Sequence, residues 1–114
     1  MILPLVLRFK PDLILISAGF DAHWRDTLAQ LQLTCSGYYM LTRTVAHLAD
    51  SMCGGRVVAV LEGGYDPEAV RGCAAAVAHA LAGLAAPPDP LGAGGYLEPD
   101  VQPLIERLRQ LHGL

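Results

Sequence analysis

Asp12-Leu13-Ile14-Leu15-Ile16-Ser17 runs directly into Ala18-Gly19-Phe20-Asp21-Ala22-His23, and this join decides the fold. Within the first six residues Leu13 to Ile16 form an apolar, partly β-branched run, which predicts a short strand buried on two faces. The strand ends on a glycine-marked turn that presents a carboxylate. Arg56-Val57-Val58-Ala59-Val60-Leu61 has the same character and ends in Glu62-Gly63-Gly64-Tyr65. Between them Tyr38, Leu41, Val45, Leu48 and Met52 recur every three or four residues, as on one face of a helix. Ser36 is the expected N-cap and Gly54-Gly55 the stop. Strand, helix, strand at this length is a βαβ unit, with parallel strands and a right-handed crossover.

A further helix should follow the second strand. Asp66 can cap it, Pro67 suits its first position, and Glu68 complements its dipole. Val70, Cys73, Ala74, Val77, Leu81 and Leu84 form the expected buried stripe, kept flat by alanines. The body of the domain is thus residues 1–86. Residues 87–98, rich in Pro and Gly, read as a loop. A last helix is expected over residues 99–114, opened by Pro99, with Val101, Leu104, Ile105, Leu108 and Leu111 on one side. Glu106 and Arg109 are spaced to pair on its outer face.

The chain has 114 residues, so it is one domain at most. A hydrophobic share of 53% and a mean hydropathy of +0.37 are high for that size. Buried parallel strands account for this, as do faces meant for elements outside the chain. The net charge of −3 and the lack of a Lys/Arg cluster exclude binding through a nucleic-acid backbone. No apolar run approaches the ~20 residues of a membrane span. Residues 1–7 are apolar, but Arg8 and Lys10 follow rather than precede them, unlike a signal peptide. Cys35, Cys53 and Cys73 are odd in number and show no C-x-x-C spacing. They read as reduced core thiols, and the expected compartment is the cytoplasm.

Ligands of open parallel sheets bind beyond the carboxyl ends of the strands. Asp21 and Tyr65 each follow such an end, so both should face one cleft. Asp21 is a metal-ligand candidate there, with a turn-capping role as its structural rival. A tyrosine after two glycines can donate its O–H to a developing oxyanion, or simply close the turn. Asp21-Ala22-His23 matches a D-x-H pair. Even so, a lone histidine beside Trp24 is expected at a pocket rim or the surface, not on a metal. Glu62 should be a buttress needing a partner. Asp26 is placed to bond loop amides and brace the Asp21 turn.

These residues resemble the zinc-dependent histone deacetylase family, which includes acetylpolyamine amidohydrolases and acetoin-utilization proteins. Residues 9–23 are similar to its F-x-P-D-L-I-L-x-S-A-G-F-D-A stretch. Asp26, Leu28 and Ala29, then Leu33-Thr34 and Gly37-Tyr38, resemble D-P-L-A and L-T-x-x-G-Y. Residues 54–58 and 61–65 resemble G-G-R-V-V and L-E-G-G-Y, the latter in its class II form. The resemblance implies the C-terminal part of an arginase/deacetylase-like three-layer α/β/α fold. It implies zinc, with Asp21 as a ligand, and Tyr65 as the catalytic donor that polarises the acyl carbonyl. Phe20, Leu28, Gly63 and Gly64 would line the substrate channel. Leu28 stands where polyamine-selective members carry a Glu, which argues against a polyamine site.

The family's His-His pair and D-x-H zinc ligands lie upstream of the matching stretch. The expected function is therefore the C-terminal portion of a deacetylase for acetyl-lysine or other acylated amines. Alone it should be inactive and hold zinc poorly, with an upstream segment as its partner. The alternatives are a non-catalytic α/β partner-binding module and a small metal binder using Asp21 and His23.

Overall fold

The computed structural model describes residues 2–29, 31–95, 97 and 99–114. In chain order the elements are α1 (Ile2–Phe9), β1 (Ile14–Ala18), α2 (Cys35–Cys53), β2 (Val57–Leu61), α3 (Pro67–Leu81) and α4 (Gln102–His112). The two strands pair in parallel, with Ile14 opposite Val57 and Ala18 opposite Leu61. This is the expected βαβ core. Helix α1 was not foreseen: its apolar run reads equally as strand, and Arg8 favourably ends its last turn.

The caps follow local chemistry. Thr34, not Ser36, caps α2, because its Oγ1 accepts the Gly37 N–H at 3.0 Å, three residues on. Ser36 instead gives its N–H and hydroxyl to Asp89, at 2.9 and 3.1 Å. Gly54 closes α2 in the left-handed conformation, as glycine allows. Asp66 caps α3 by accepting the Ala69 N–H at 2.8 Å, and Pro67 follows it. Helix α4 starts at Gln102 rather than at Pro99, with Pro103 in its first turn. Of the loop expected over 87–98, Tyr96 and Glu98 lie outside the described residues, as does Met1 of the apolar start.

Burial departs from expectation in one instructive way. Ile16, Ala18 and Ala59 face the helices and join a core of Phe20, Cys35, Tyr38, Cys73, Ala76 and Val77. On the other face Leu15, Val58 and Val60 are exposed, at 68%, 47% and 51%. The strands are apolar on both faces, yet among the described residues only one face is covered. Two layers of the expected three are present. Glu62 is exposed for the same reason and needs no buried partner.

Helix α3 turns its smallest residues inward. Ala69, Gly72, Cys73, Ala76, Val77 and Ala80 are buried, whereas Ala74, Leu81 and Leu84 of the expected stripe are exposed. Small residues let α2 and α3 approach closely, so packing density rather than side-chain size selected that face. Helix α4 buries no residue fully. It is tied to α1 by the Arg8 guanidinium, which donates to the His112 carbonyl at 3.1 Å.

Gly72 makes the closeness testable. A Cβ there would lie 2.7 Å from Cys35 Sγ and 3.2 Å from Pro90 Cγ. In an open helix, Gly→Ala stabilises by about 1 kcal/mol. Here overpacking should win, and Gly72→Ala should cost about 1–3 kcal/mol in urea denaturation. A gain in stability would show that α2 and α3 are not in contact at this point.

Candidate active site

Backbone pairing continues past the strands and zips the two turns that carry Asp21 and Tyr65 together. The Glu62 N–H donates to the Ala18 carbonyl at 3.2 Å and the Phe20 N–H to the Gly63 carbonyl at 2.7 Å. Asp21 therefore rises beside Gly63. A Cβ on Gly63 would sit 3.1 Å from the Asp21 carboxyl carbon, and one on Gly19 would sit 2.8 Å from its Oδ1. Both glycines leave room for a half-buried carboxylate. Gly64 has φ +130°, and a Cβ there would meet Val70 at 2.7 Å and Phe20 at 3.0 Å. Side chains are excluded by conformation and by space.

The turn after β1 is held from below. The Phe20 ring is buried and meets Tyr38 edge-on, with centroids 5.2 Å apart. The Tyr38 hydroxyl donates to the Gly19 carbonyl at 2.9 Å. Burial pushes the Tyr38 phenol up to about 12, so it remains a donor. Sequence reasoning placed Tyr38 on a core stripe and missed this anchor, since the helical period says nothing of a hydroxyl's partner.

Asp26 ties the second turn to the first. It is buried, and its Oδ1 accepts the Leu28 N–H at 3.0 Å. Its Oδ2 accepts the N–H groups of Tyr65 at 2.7 Å and Asp66 at 3.2 Å. The bonds from Leu28 and Tyr65 hold its carboxyl below the usual carboxylate range. Asp26 thus bonds loop amides as expected, but the turn it braces from outside is the one carrying Tyr65. Arg25 reinforces the link through Asp66 at 3.2 Å. The Tyr65 side chain itself is 63% exposed, and Leu28 is also exposed. Asp21 and Tyr65 share one sheet edge, as the parallel topology requires, while Phe20 turns into the core.

His23 corrects an expectation. It is wholly buried rather than at a rim or on the surface. Its Nδ1 accepts the Arg25 N–H at 3.2 Å, and its Nε2 lies 3.8 Å from Cys35 Sγ. Burial lowers its pKa, so the ring is neutral. No local pattern announced this, because beside Trp24 and Arg25 the ring also meets Cys35, which the segment does not contain.

Comparison with known proteins adds the decisive observation: the histone deacetylase domain matches residues 1–81. The chain belongs to the histone deacetylase family. It is 42% identical over 118 residues to the chloroplastic histone deacetylase 14 of Arabidopsis thaliana, covering all of this chain and 28% of that one. It is 41% identical over 92 residues to a histone deacetylase-like amidohydrolase of Pseudomonas aeruginosa, covering 80% of this chain and 24% of that one. The solved structure of the histone deacetylase Clr3 superposes with a TM-score of 0.77 at 29% identity, over 97% of this chain and 18% of that one. The chain thus spans about a quarter of the length of these two curated relatives.

Deacetylases of this family use zinc, and the residues here fit one corner of such a site. Asp21 offers a carboxylate in a cradle kept clear by Gly19 and Gly63. Among the described residues, the one close group of three potential ligands is His23, Cys35 and Cys73, which excludes Asp21.

The buried groups fix the response to acid. His23 has a lowered pKa in the fold, so its contribution is complete above its ordinary value of 6.5 and is lost progressively as pH falls from that value through the lowered one. Asp26 and Asp66 are also lowered, by backbone hydrogen bonds, so theirs is lost as pH falls through and below 3.8. Urea midpoints should therefore drop in two stages on acidification. A flat profile from pH 7 down to 5 would remove His23 from the account.

Proposed function

We propose that this chain forms the C-terminal part of a zinc-dependent deacylase acting on acetyl-lysine or similar acylated amines. The observation that carries this reading is the joint placement of Asp21 and Tyr65 at one sheet edge, tied by Asp26. Asp21 would hold the metal. Zinc, when bound, lowers the pKa of its water and polarises an acyl carbonyl. The Tyr65 phenol would donate its hydrogen bond to the carbonyl oxygen as negative charge builds on it. Its exposure leaves the hydroxyl free for a substrate.

Gly63 and Gly64 would form the channel wall through their backbone, with Leu28 at the rim and Phe20 supporting from beneath. Catalytic zinc takes about three protein ligands. This chain supplies one with suitable surroundings, so the remainder would come from an upstream segment of a longer protein. The exposed face of Leu15, Val58 and Val60 supports this reading, because parallel sheets are covered on both sides.

The test is zinc-dependent hydrolysis of a fluorogenic acetyl-lysine peptide. The chain is assayed alone and then together with the upstream segment of the same gene. Activity should appear only in the combination. Tyr65→Phe should then lower kcat by about 10²–10³-fold with zinc content unchanged. Activity of the chain alone, or a Tyr65→Phe enzyme as fast as the parent, would refute the assignment.

A further inference from the structure

Three buried side chains take no part in the chemistry above. His23 follows β1, Cys35 is the first residue of α2, and Cys73 lies in the middle of α3. Their Nε2 and Sγ atoms lie within 4.8 Å of one another. Cys35 Sγ is 3.5 Å from Cys73 Sγ and 3.8 Å from His23 Nε2. Two chemistries suit such a group: a soft metal ion held by thiolates, or a disulfide.

The histidine tautomer separates them. Its Nδ1 accepts the Arg25 N–H at 3.2 Å, which leaves the ring proton on Nε2, facing the Cys35 sulfur. An imidazole that binds metal through Nε2 keeps its proton on Nδ1 and donates it. A metal ion here would set two N–H groups against each other. The sulfurs, by contrast, already touch.

We propose that Cys35 and Cys73 form an oxidisable thiol pair, converted by a small peroxide into a disulfide that pins the start of α2 to the middle of α3. Cys35 accepts hydrogen bonds from both Cys73 and His23, and the bond from Cys73 offsets part of what burial and the nearby Asp89 do against charge on its sulfur. Burial pushes both thiols up, Cys73 the more strongly, which makes Cys35 the first to react and keeps the reaction slow. Pro90 stands over this spot, 3.2 Å from where a Gly72 Cβ would be, and favours a small oxidant.

The deprotonated Cys35 sulfur attacks one peroxide oxygen, and the O–O bond breaks. One water leaves, with Cys35 as the sulfenic acid. The Cys73 sulfur then attacks the Cys35 sulfur, the S–O bond breaks, and the hydroxide leaves with the Cys73 proton as a second water. Two thiols and one hydrogen peroxide become one disulfide and two waters. Cys53 is an internal control: it sits at the far end of α2 and bonds the Arg56 carbonyl at 3.3 Å.

The test exposes the 114-residue chain to hydrogen peroxide under native conditions, then alkylates it and maps its peptides by mass. The expected product is two hydrogens lighter, joins Cys35 to Cys73 and leaves Cys53 alkylated. Reduction should restore all three thiols. The oxidised form should melt about 5 °C or more above the reduced form. Pairing that involves Cys53, over-oxidation of Cys35 with Cys73 still free, or an oxidised form that melts no higher would each overturn the proposal. So would tight equimolar zinc binding that shields both thiols, which would make the cluster a metal site.

Discussion

The buried Asp26 carboxylate accepts three backbone N–H groups from two separate loops, and the geometry of the sheet edge depends on it. A carboxylate is acceptor-only when ionised, so it suits converging amides better than a hydroxyl or an amide would. Bonds of this charge-assisted kind are stronger than neutral ones. They fix the backbone of Tyr65 while leaving its ring free. The same carboxylate fixes Leu28, so the rim and the catalytic candidate share one anchor.

Around that anchor the constraints are steric. Gly19 and Gly63 make room for Asp21, and Gly64 makes room for Val70 and Phe20. Phe20 in turn rests on Tyr38, whose hydroxyl holds the Gly19 carbonyl. Strand register, glycine turns and helix α2 thus converge on the position of one carboxylate. Helix α3 begins directly after Tyr65, capped by Asp66, so the close packing of α2 on α3 also bears on where the phenol starts. Each level of structure narrows the choices of the next.

Much of this was legible in the sequence, because it is local. The strands show as apolar β-branched runs, and Gly54, Asp66 and Pro67 mark helix ends through their own backbone preferences. The shared edge of Asp21 and Tyr65 follows from topology alone. What escaped the sequence depends on distant partners. His23 is buried by Cys35 as well as by Trp24 beside it, and the Cys35 contact cannot be read from the segment itself. Glu62 and the outer sheet face look buried because apolar residues record the surroundings a strand is adapted to. Among the described residues those surroundings are present on one side only. The choice of Thr34 over Ser36 as a cap turns on a single residue of register, and the start of α4 is similarly fine-grained.

The most direct measurement of the central claim is amide hydrogen exchange, residue by residue, at Tyr65 and Asp66. Both belong to a turn with an exposed tyrosine ring, where free amides would exchange quickly. If Asp26 anchors the turn, the Tyr65 amide should be protected as well as the interior of α3. Exchange at the rate of an open loop would contradict the account, because the tyrosine would then have no fixed place relative to Asp21.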